Sequence, residues 1–283
     1  MLLGIDAGTS AVKLAVLDGE KIVLTHYERN RGSSMETLNR ALWNSGARDL
    51  ELTAAAVTGL NGNNCHPEEM GLPIFGVSEI DAIGRGGRYL GGLDRAMIVN
   101  LGSGSTFVLA DGDTYTHLGG TGVGGGTLIG LGRRLLGIDD PAKLAELAAE
   151  GDLAKVDLRI GDLFGGSETL QQELTASNLA KFDPDATDAD WAAGLFNLVL
   201  QSVGTMAILA CGGRDLQDIV LLGGLALQPF AIDCFGMFNR MYPQRFFIAD
   251  DPACATALGA ALLLKENEPQ WTAQSGAEEE LCF

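Results

Sequence analysis

One glycine-rich stretch, residues 119–132, constrains the fold more than any other part of the chain. It reads Gly-Gly-Thr-Gly-Val-Gly-Gly-Gly-Thr-Leu-Ile-Gly-Leu-Gly and runs into apolar and basic residues up to Leu136. Glycine lets a ligand approach the main chain closely, and free N–H groups that lead into a helix N-terminus form an anion site. We therefore predict a polyphosphate-binding loop and a helix capped between Gly124 and Thr127. The alternative is a flexible linker, although linkers rarely open directly into an amphipathic helix.

A pattern of strand, small polar turn, strand, turn and strand occurs twice. In the first copy, strands at 2–6, 12–17 and 21–27 surround the turn 7–10. In the second copy, strands at 97–101, 107–110 and 114–118 surround the turn 102–106. A repeat of about 95 residues predicts two structurally similar α/β domains, 1–95 and 96–283, whose equivalent turns face each other across a cleft.

The first turn brings a carboxylate, a glycine, two hydroxyls and an amine together, in Asp6, Gly8, Thr9, Ser10 and Lys13. An aspartate at a strand end can hold Mg²⁺ through water, and glycine with hydroxyls can hold phosphate oxygens. The alternative is an ordinary polar hairpin. A Walker A loop is excluded because the sequence has no G-x-x-x-x-G-K-[ST] pattern.

Two further segments have both a functional and a structural interpretation. Glu79 and Asp81 follow a predicted strand and open a helix, where active-site groups often collect, but acidic residues also favour a helix N-terminus through its dipole. Small residues at Gly223-Gly224 and at 253–259 fit either an adenine pocket or tight helix–sheet packing.

Charge and composition exclude several classes of partner. The 283 residues carry a formal net charge of −18, which argues against nucleic acid and anionic membranes but permits a small anionic ligand. Five cysteines without a C-x-x-C pair predict scattered reduced thiols, and three histidines argue against a histidine-rich metal site. The start of the chain lacks a basic region before an apolar core, so we expect a cytoplasmic protein. An apolar helix at 191–211 predicts a buried or subunit-contacting position, hence a homodimer.

The ordered set of motifs resembles the type II pantothenate kinases, within the superfamily of acetate and sugar kinases, heat-shock chaperones and actin. The resemblance covers nearly the whole chain, and the long glycine loop is its most specific part. The motifs are Gly4-Ile5-Asp6-Ala7-Gly8-Thr9-Ser10-Ala11-Val12-Lys13, Glu79-Ile80-Asp81-Ala82, Gly102-Ser103-Gly104-Ser105, the loop from Gly119 to Leu131, Gly151-Asp152 with Val156-Asp157-Leu158, Glu173-Leu174-Thr175-Ala176-Ser177-Asn178, Val203-Gly204-Thr205-Met206-Ala207 and Ala257-Leu258-Gly259-Ala260.

The resemblance implies two RNase H-like domains of the actin-like ATPase type with an interdomain cleft, and a homodimer. It implies phosphorylation of pantothenate, the first step of coenzyme A biosynthesis, with ATP and Mg²⁺ as cofactors. Glu79 would be the general base and Asp6 would organise Mg²⁺. The residues predicted to bind the nucleotide are Gly8, Thr9, Ser10, Lys13, Gly102, Ser103, Gly104, Ser105, Gly119, Gly120, Thr121, Gly122, Gly124, Gly125, Gly126, Gly223 and Gly224.

The sequence departs from the family at the predicted acceptor site, which we assign to His117, Ser103 and Asp81. The family usually has an arginine before its glycine loop, where this chain has Thr116-His117-Leu118. A histidine is shorter and cannot make the bidentate contact of an arginine. Two alternatives therefore stay open: a kinase that phosphorylates another small hydroxyl compound, and a non-catalytic nucleotide-binding regulator. The presence of Glu79 argues against the regulator.

Overall fold

The fold is described from a computed structural model, for residues 1–62, 71–164, 174–181 and 183–267. Its strands are β1 Leu2–Ala7, β2 Ala11–Asp18, β3 Lys21–Arg29, β4 Ala54–Thr58, β5 Ile74–Gly76, β6 Arg95–Leu101, β7 Ser105–Asp111, β8 Thr114–Thr121, β9 Leu158–Arg159, β10 Thr175–Ser177, β11 Asp218–Leu222 and β12 Arg245–Ile248. Its helices are α1 Ser34–Asn44, α2 Glu79–Gly91, α3 Gly125–Leu136, α4 Pro141–Ala148, α5 Ile160–Phe164, α6 Asp188–Cys211, α7 Pro229–Met241 and α8 Ala255–Glu266. Short 3₁₀ turns lie at Ala47–Asp49, Leu153–Lys155 and Gly224–Leu227.

Two five-stranded sheets with the same topology confirm the predicted internal repeat. The first has the order β3-β2-β1-β4-β5 and the second the order β8-β7-β6-β11-β12. In each sheet the first three strands pair antiparallel and the last two join in parallel. The hairpins need only short turns, whereas the parallel strands β4, β11 and β12 each follow one or more helices that return the chain to the sheet. Two copies of one topology therefore put the two small polar turns at equivalent sheet ends.

The sheets and helices form five layers. Helix α1 covers the outer face of the first sheet, with Leu38 and Leu42 packed against Ile5 and Leu14. Helices α3, α4, α6 and α7 cover the outer face of the second sheet, where Phe196 and other aromatic residues fill the core. Helices α2 and α8 lie together between the two sheets. Strand β1 is buried along its whole length because it has cover on both faces.

The two central helices are exchanged between the halves of the chain. Helix α2 follows the first sheet in sequence, yet its Ile83 packs against Ile98 and Val220 of the second sheet. Helix α8 follows the second sheet, yet Ala257 and Leu258 pack against the first. The predicted boundary between 1–95 and 96–283 separates the strands of the two sheets, but the helices do not follow it. The division stays a proposal that describes sheet membership.

Helix α6 runs through the core behind the second sheet. Its capping box joins Thr187 and Asp190, and 13 of its residues are buried. Among the described helices it alone has the length and hydropathy to cross a membrane. More than half of that apolar stretch is buried inside the protein, as in the core helix of a globular domain. This burial agrees with the first of the two positions predicted for the helix.

Candidate active site

An ion pair marks the end of strand β1. Asp6 lies opposite Lys13 across β1 and β2, and Lys13 Nζ is 2.9 Å from Asp6 Oδ2. The Asp6 side chain is 8% exposed, so most of its surface is removed from water. The other oxygen, Oδ1, accepts no hydrogen bond from the described residues. Gly59, with φ +93°, keeps the space beside it open, since a Cβ there would lie 2.8 Å from Oδ1.

Thr58 is a second polar group on this side of the sheet that sequence reasoning missed. It pairs with Asp6 in the parallel register of β1 and β4. Its side chain is buried, and within the described ranges its hydroxyl has no hydrogen-bond partner. A buried hydroxyl without a partner is costly, which indicates a place for water or a ligand. No sequence pattern distinguishes it from any other threonine at a strand end.

The two small polar turns meet, as the repeat predicts. Thr9 Oγ1 in the first turn lies 3.0 Å from Ser103 Oγ in the second, and Ser103 Oγ lies 3.2 Å from Ser10 Oγ. In the part of the chain that the structure describes, the backbone N–H groups of Thr9, Ser10, Ser103 and Gly104 donate no hydrogen bond. Hydroxyls and free N–H groups from both halves of the chain therefore collect at one place.

The glycine-rich stretch departs from the predicted open loop. Gly119, Gly120 and Thr121 belong to strand β8 and pair with β7, so only residues 122–124 link the strand to helix α3. The helix begins at Gly125 after the N-cap Gly124, as predicted. Its first two N–H groups are occupied: Gly125 N donates to Gly102 O at 2.9 Å and Gly126 N to Ser103 O at 2.8 Å. These groups are therefore not free for phosphate. A Cβ on Gly122, in the link, would meet nothing within 4 Å.

Close contact between two backbone segments accounts for the glycines. A Cβ on Gly124 would lie 2.8 Å from the backbone of Gly104, and one on Gly104 would lie 2.6 Å from Thr121 O. Ser105 closes the contact through its buried hydroxyl, which donates to Val123 O at 2.8 Å. Side chains at these glycine positions would push the glycine-rich stretch away from the second turn. The glycines therefore allow this turn to pack directly against the start of helix α3.

Glu79 is the first residue of helix α2, which Ser78 caps by accepting a hydrogen bond from Asp81 N. Burial raises the pKa of Glu79 above its ordinary value, and the negative charge of Asp6 raises it further. The positive charge of Lys13 acts in the opposite direction. The Glu79 carboxylate therefore lies within electrostatic range of the ion pair at the end of β1. A partly desolvated carboxylate with a raised pKa is a better proton acceptor than an exposed one.

Within the described residues, no hydrogen bond or ion pair joins Asp81 or His117 to Asp6, Lys13 or the hydroxyls of the two turns. Asp81 lines a cavity of about 230 Å³ whose other lining residues are Phe75, Val77, Ser78, Leu263, Leu264 and Asn267. His117 is exposed on β8, an edge strand of the second sheet, and its Nε2 points along the strand toward Gly120. All three residues, Asp81, His117 and Ser103, stay predictions for the acceptor site; the Ser103 hydroxyl lies in the second turn, within 3.2 Å of two hydroxyl oxygens of the first.

The predicted adenine pocket divides into two parts. Gly223 follows β11 with φ +90°, where a Cβ would lie 2.9 Å from Asn100 Oδ1, while Gly224 opens onto free space. Residues 255–259 instead form the crossing of α8 with α2, where a Cβ on Gly259 would lie 2.8 Å from Gly86 N. Tight packing is thus the correct interpretation for 255–259, and the nucleotide interpretation survives for Gly224.

The repeat relates the two sheet ends residue by residue. Gly59 approaches Asp6 at the end of the first sheet just as Gly223 approaches Asn100 at the end of the second. Asn100 therefore occupies the position equivalent to Asp6. Within the described residues no three histidine, cysteine, aspartate or glutamate side chains cluster as a metal site. Of the two equivalent positions, only the first carries a carboxylate for a cation.

Cys254 lies at the start of α8, and its Sγ donates to His26 O at 3.5 Å. Burial raises the pKa of this thiol to about 12, with a further contribution from Asp251. Only the thiolate is a good nucleophile, so Cys254 is inert near neutral pH. Cys211 and Cys234 are also buried and free.

Comparison with known proteins agrees with this geometry. The model of the family described as Fumble matches residues 95–235. The type II pantothenate kinases of Staphylococcus aureus strains USA300 and COL are 29% identical over 280 residues, which cover 94% of this chain and 100% of each relative.

Two solved structures share the fold. One is the activator of the 2-hydroxyisocaproyl-CoA dehydratase from Clostridium difficile with bound ADPNP, at a TM-score of 0.69, 18% identity and 99% coverage of both chains. The other is a ROK family glucokinase from Streptomyces griseus with glucose and AMPPNP, at a TM-score of 0.58 and 14% identity, covering 94% of this chain and 99% of that one. These matches confirm the predicted actin-like ATPase fold. The chain is thus similar to the type II pantothenate kinases along nearly its whole length, and its middle part matches the Fumble family model.

Proposed function

We propose that this protein is an ATP-dependent kinase that phosphorylates the primary hydroxyl of pantothenate, the first step of coenzyme A biosynthesis. One observation carries the proposal: Glu79, whose pKa is raised by burial, lies within electrostatic range of Asp6 and Lys13, and Asp6 is near the end of the strand that leads into the turn of Thr9, which meets Ser103. The similarity to pantothenate kinases over 94% of the chain supports it.

The residues around Asp6 fit a hydrated Mg²⁺ ion. Among the described residues, Asp6 Oδ1 accepts no hydrogen bond and faces the space that Gly59 keeps open, and the buried Thr58 hydroxyl nearby has no partner. A carboxylate oxygen that holds Mg²⁺ through water suits the ion, which dehydrates reluctantly and shares its remaining ligands with substrate phosphates. Mg²⁺ bound there would neutralise charge on the β- and γ-phosphates. Lys13 would add a second positive charge on the same side.

Glu79 would act as the general base. As the acceptor oxygen bonds to the γ-phosphorus, the bond from that phosphorus to the β,γ-bridging oxygen breaks and ADP leaves. The hydroxyl proton passes to the Glu79 carboxylate, whose raised pKa suits it to take a proton near neutral pH. The free N–H groups of Ser103 and Gly104 and the hydroxyls of Thr9 and Ser10 would hold the phosphate oxygens. Positioning and electrostatic stabilisation then supply most of the rate.

His117 favours a second candidate, a kinase for another small hydroxyl compound. The side chain is exposed on β8 and leads toward Gly120, so it can meet an acceptor that enters from the strand edge. It cannot supply the bidentate contact of the family's arginine, which suits a carboxylate. An acceptor without a carboxylate would not need that contact. A non-catalytic nucleotide-binding regulator is the third candidate, but it has no use for a desolvated base at position 79.

The assembly and location belong to the same proposal. Leu209 and Met206 are exposed on the second half of α6, at 71% and 39%, beside the buried face of that helix. We propose that a second copy of the chain covers them in a cytoplasmic homodimer. A monomeric mass in solution would contradict this.

The deciding experiment measures ADP release from MgATP by the purified protein, with and without pantothenate. We expect release that depends on pantothenate and falls about 10²–10⁴-fold in Glu79→Gln, the usual contribution of a general base. Glu150→Gln, at an exposed position, is the matched control and should match the wild type. ATP binding without a pantothenate response would reject pantothenate and call for a screen of hydroxy-amides and sugars. Full turnover in Glu79→Gln would reject the base.

A further inference from the structure

Two asparagines form hydrogen bonds with the first turn, residues 7–10, and the proposed function assigns them no role. Resting on that function, we propose that Asn30 and Asn61 are positioning residues that turn the N–H groups of Thr9 and Ser10 toward the nucleotide phosphates. Neither asparagine touches the reacting atoms in this interpretation. Each acts through the backbone of the turn.

The two asparagines bind every carbonyl from residue 7 to residue 10. Asn61 N donates to Ala7 O at 3.0 Å, and Asn61 Nδ2 donates to Gly8 O at 3.1 Å. Asn30 Nδ2 donates to Gly8 O at 3.1 Å and to Thr9 O at 2.9 Å. Asn30 N donates to Ser10 O at 2.9 Å. The carbonyl oxygen of Gly8 thus accepts a hydrogen bond from each of the two side-chain amides.

Peptide geometry converts these contacts into an orientation of the N–H groups. In a trans peptide the C=O of one residue and the N–H of the next point in opposite directions, and no described peptide bond is cis. When the Gly8 and Thr9 carbonyls point toward the asparagines, the N–H groups of Thr9 and Ser10 must point away from them. Within the described ranges neither of these N–H groups donates a hydrogen bond. They are free donors on the face of the turn opposite the asparagines.

The second turn achieves the same orientation with a different device. The carbonyls of Gly102 and Ser103 accept from the N–H groups of Gly125 and Gly126 at the start of α3. By the same geometry, the N–H groups of Ser103 and Gly104 point away from that helix, and they are also free. The repeat makes Gly8 and Gly102 equivalent positions. In both turns, therefore, hydrogen bonds fix the direction of the carbonyl groups. The donors are asparagine residues in the first turn and the N-terminus of a helix in the second.

The Asn30→Asp and Asn61→Asp variants test the proposal, because each replaces the donating amide by a carboxylate that repels the same carbonyls. The measurement is the dissociation constant of a non-hydrolysable ATP analogue and, by competition, of adenosine. We expect the analogue to bind about tenfold weaker or worse, the usual effect of one lost charge-assisted hydrogen bond, with adenosine affinity unchanged. Asn39→Asp is the matched control, since among the described residues the hydrogen-bond partner of the Asn39 side chain is Arg48, outside the site, and it should bind both ligands like the wild type.

The comparison of the two ligands separates positioning from a general structural role, because only the analogue carries phosphates. Equal losses for the analogue and adenosine, or analogue binding within about twofold of the wild type, would overturn the proposal. If an aspartate variant does not fold, Asn30→Ser decides in its place, since it removes the donor without adding a charge. A wild-type protein that binds no ATP analogue would instead reject the proposed function, and this inference with it.

Discussion

The crossing of α2 and α8 gives the sharpest test of how the fold positions Glu79, the proposed base. A Cβ on Gly86 would overlap Ala255 O and lie 2.9 Å from the carbonyl carbon of Ala255, where ordinary contact begins at 3.4 Å. Gly86→Ala must therefore move the helices apart by at least about 0.5 Å, and overpacking of this kind costs about 1–3 kcal/mol. Glu79 is on the same helix seven residues earlier, about 10 Å along the axis. We expect kcat to fall as well, because small displacements of catalytic groups reduce rates steeply.

Gly236→Ala is the matched control for this variant. Gly236 is also inside a helix, α7, but a Cβ there meets nothing within 4 Å. Both substitutions gain about 1 kcal/mol of helix propensity, so the difference between their free energies of unfolding isolates the packing cost. Urea denaturation should show Gly86→Ala about 1–3 kcal/mol less stable than Gly236→Ala. Equal stability of the two variants, with normal turnover in Gly86→Ala, would refute the close crossing.

Three further predictions concern single side chains. The pKa of Glu79 is raised in the folded state, so ionisation of its carboxyl group destabilises the fold above that pKa. The Glu79→Gln variant should therefore have a higher Tm than the wild type near pH 8 and a similar Tm near pH 4. Equal Tm values at pH 8 would contradict the desolvation of Glu79. His117→Arg should lower KM for pantothenate if this position contacts the acceptor, and an unchanged KM in steady-state assays would exclude the contact. The hydrogen bond from the backbone N–H of Thr187 is the main cause that lowers the pKa of Asp190. Asp190→Asn should therefore reduce the free energy of unfolding by about 1.5–3 kcal/mol near pH 7. In urea denaturation this difference from the wild type should shrink as the pH falls below about 3.9.

The sequence predicted the duplicated sheets because the relevant signals are local. Apolar runs bounded by glycine and hydroxyl turns identify hairpins within about 30 residues of chain. The exchange of α2 and α8 depends instead on contacts between residues far apart in sequence. Gly86 and Gly259 mark the crossing only when both helices are already placed. Hydrophobic periodicity predicts which face of a helix is buried, but it does not indicate which of the two sheets that face will contact.

The predicted site residues lie together where chemistry and position coincide in one turn, and their role in binding phosphate stays a prediction. Thr9, Ser10 and Ser103 were predicted as phosphate ligands, and the structure brings their hydroxyls together. The glycine-rich stretch was interpreted as an open anion loop because glycine spacing alone does not reveal where the N–H groups point. Asn30 and Asn61 were missed because single asparagines in loops carry no pattern, and their contacts with Gly8 span 22 and 53 residues.

The exchanged helices also set an order for folding during synthesis. Every strand of the first sheet has been made by Gly76, but its inner face waits for α8, which begins at Ala255. Until the ribosome has released that helix, an apolar surface that includes Leu2 and Ala56 lacks its cover. Domains generally fold as units from the N-terminus during synthesis, at about 5–20 residues per second. Here the first half must remain incomplete for roughly ten seconds or more at those rates, so the last of the described helices to be made completes the first sheet.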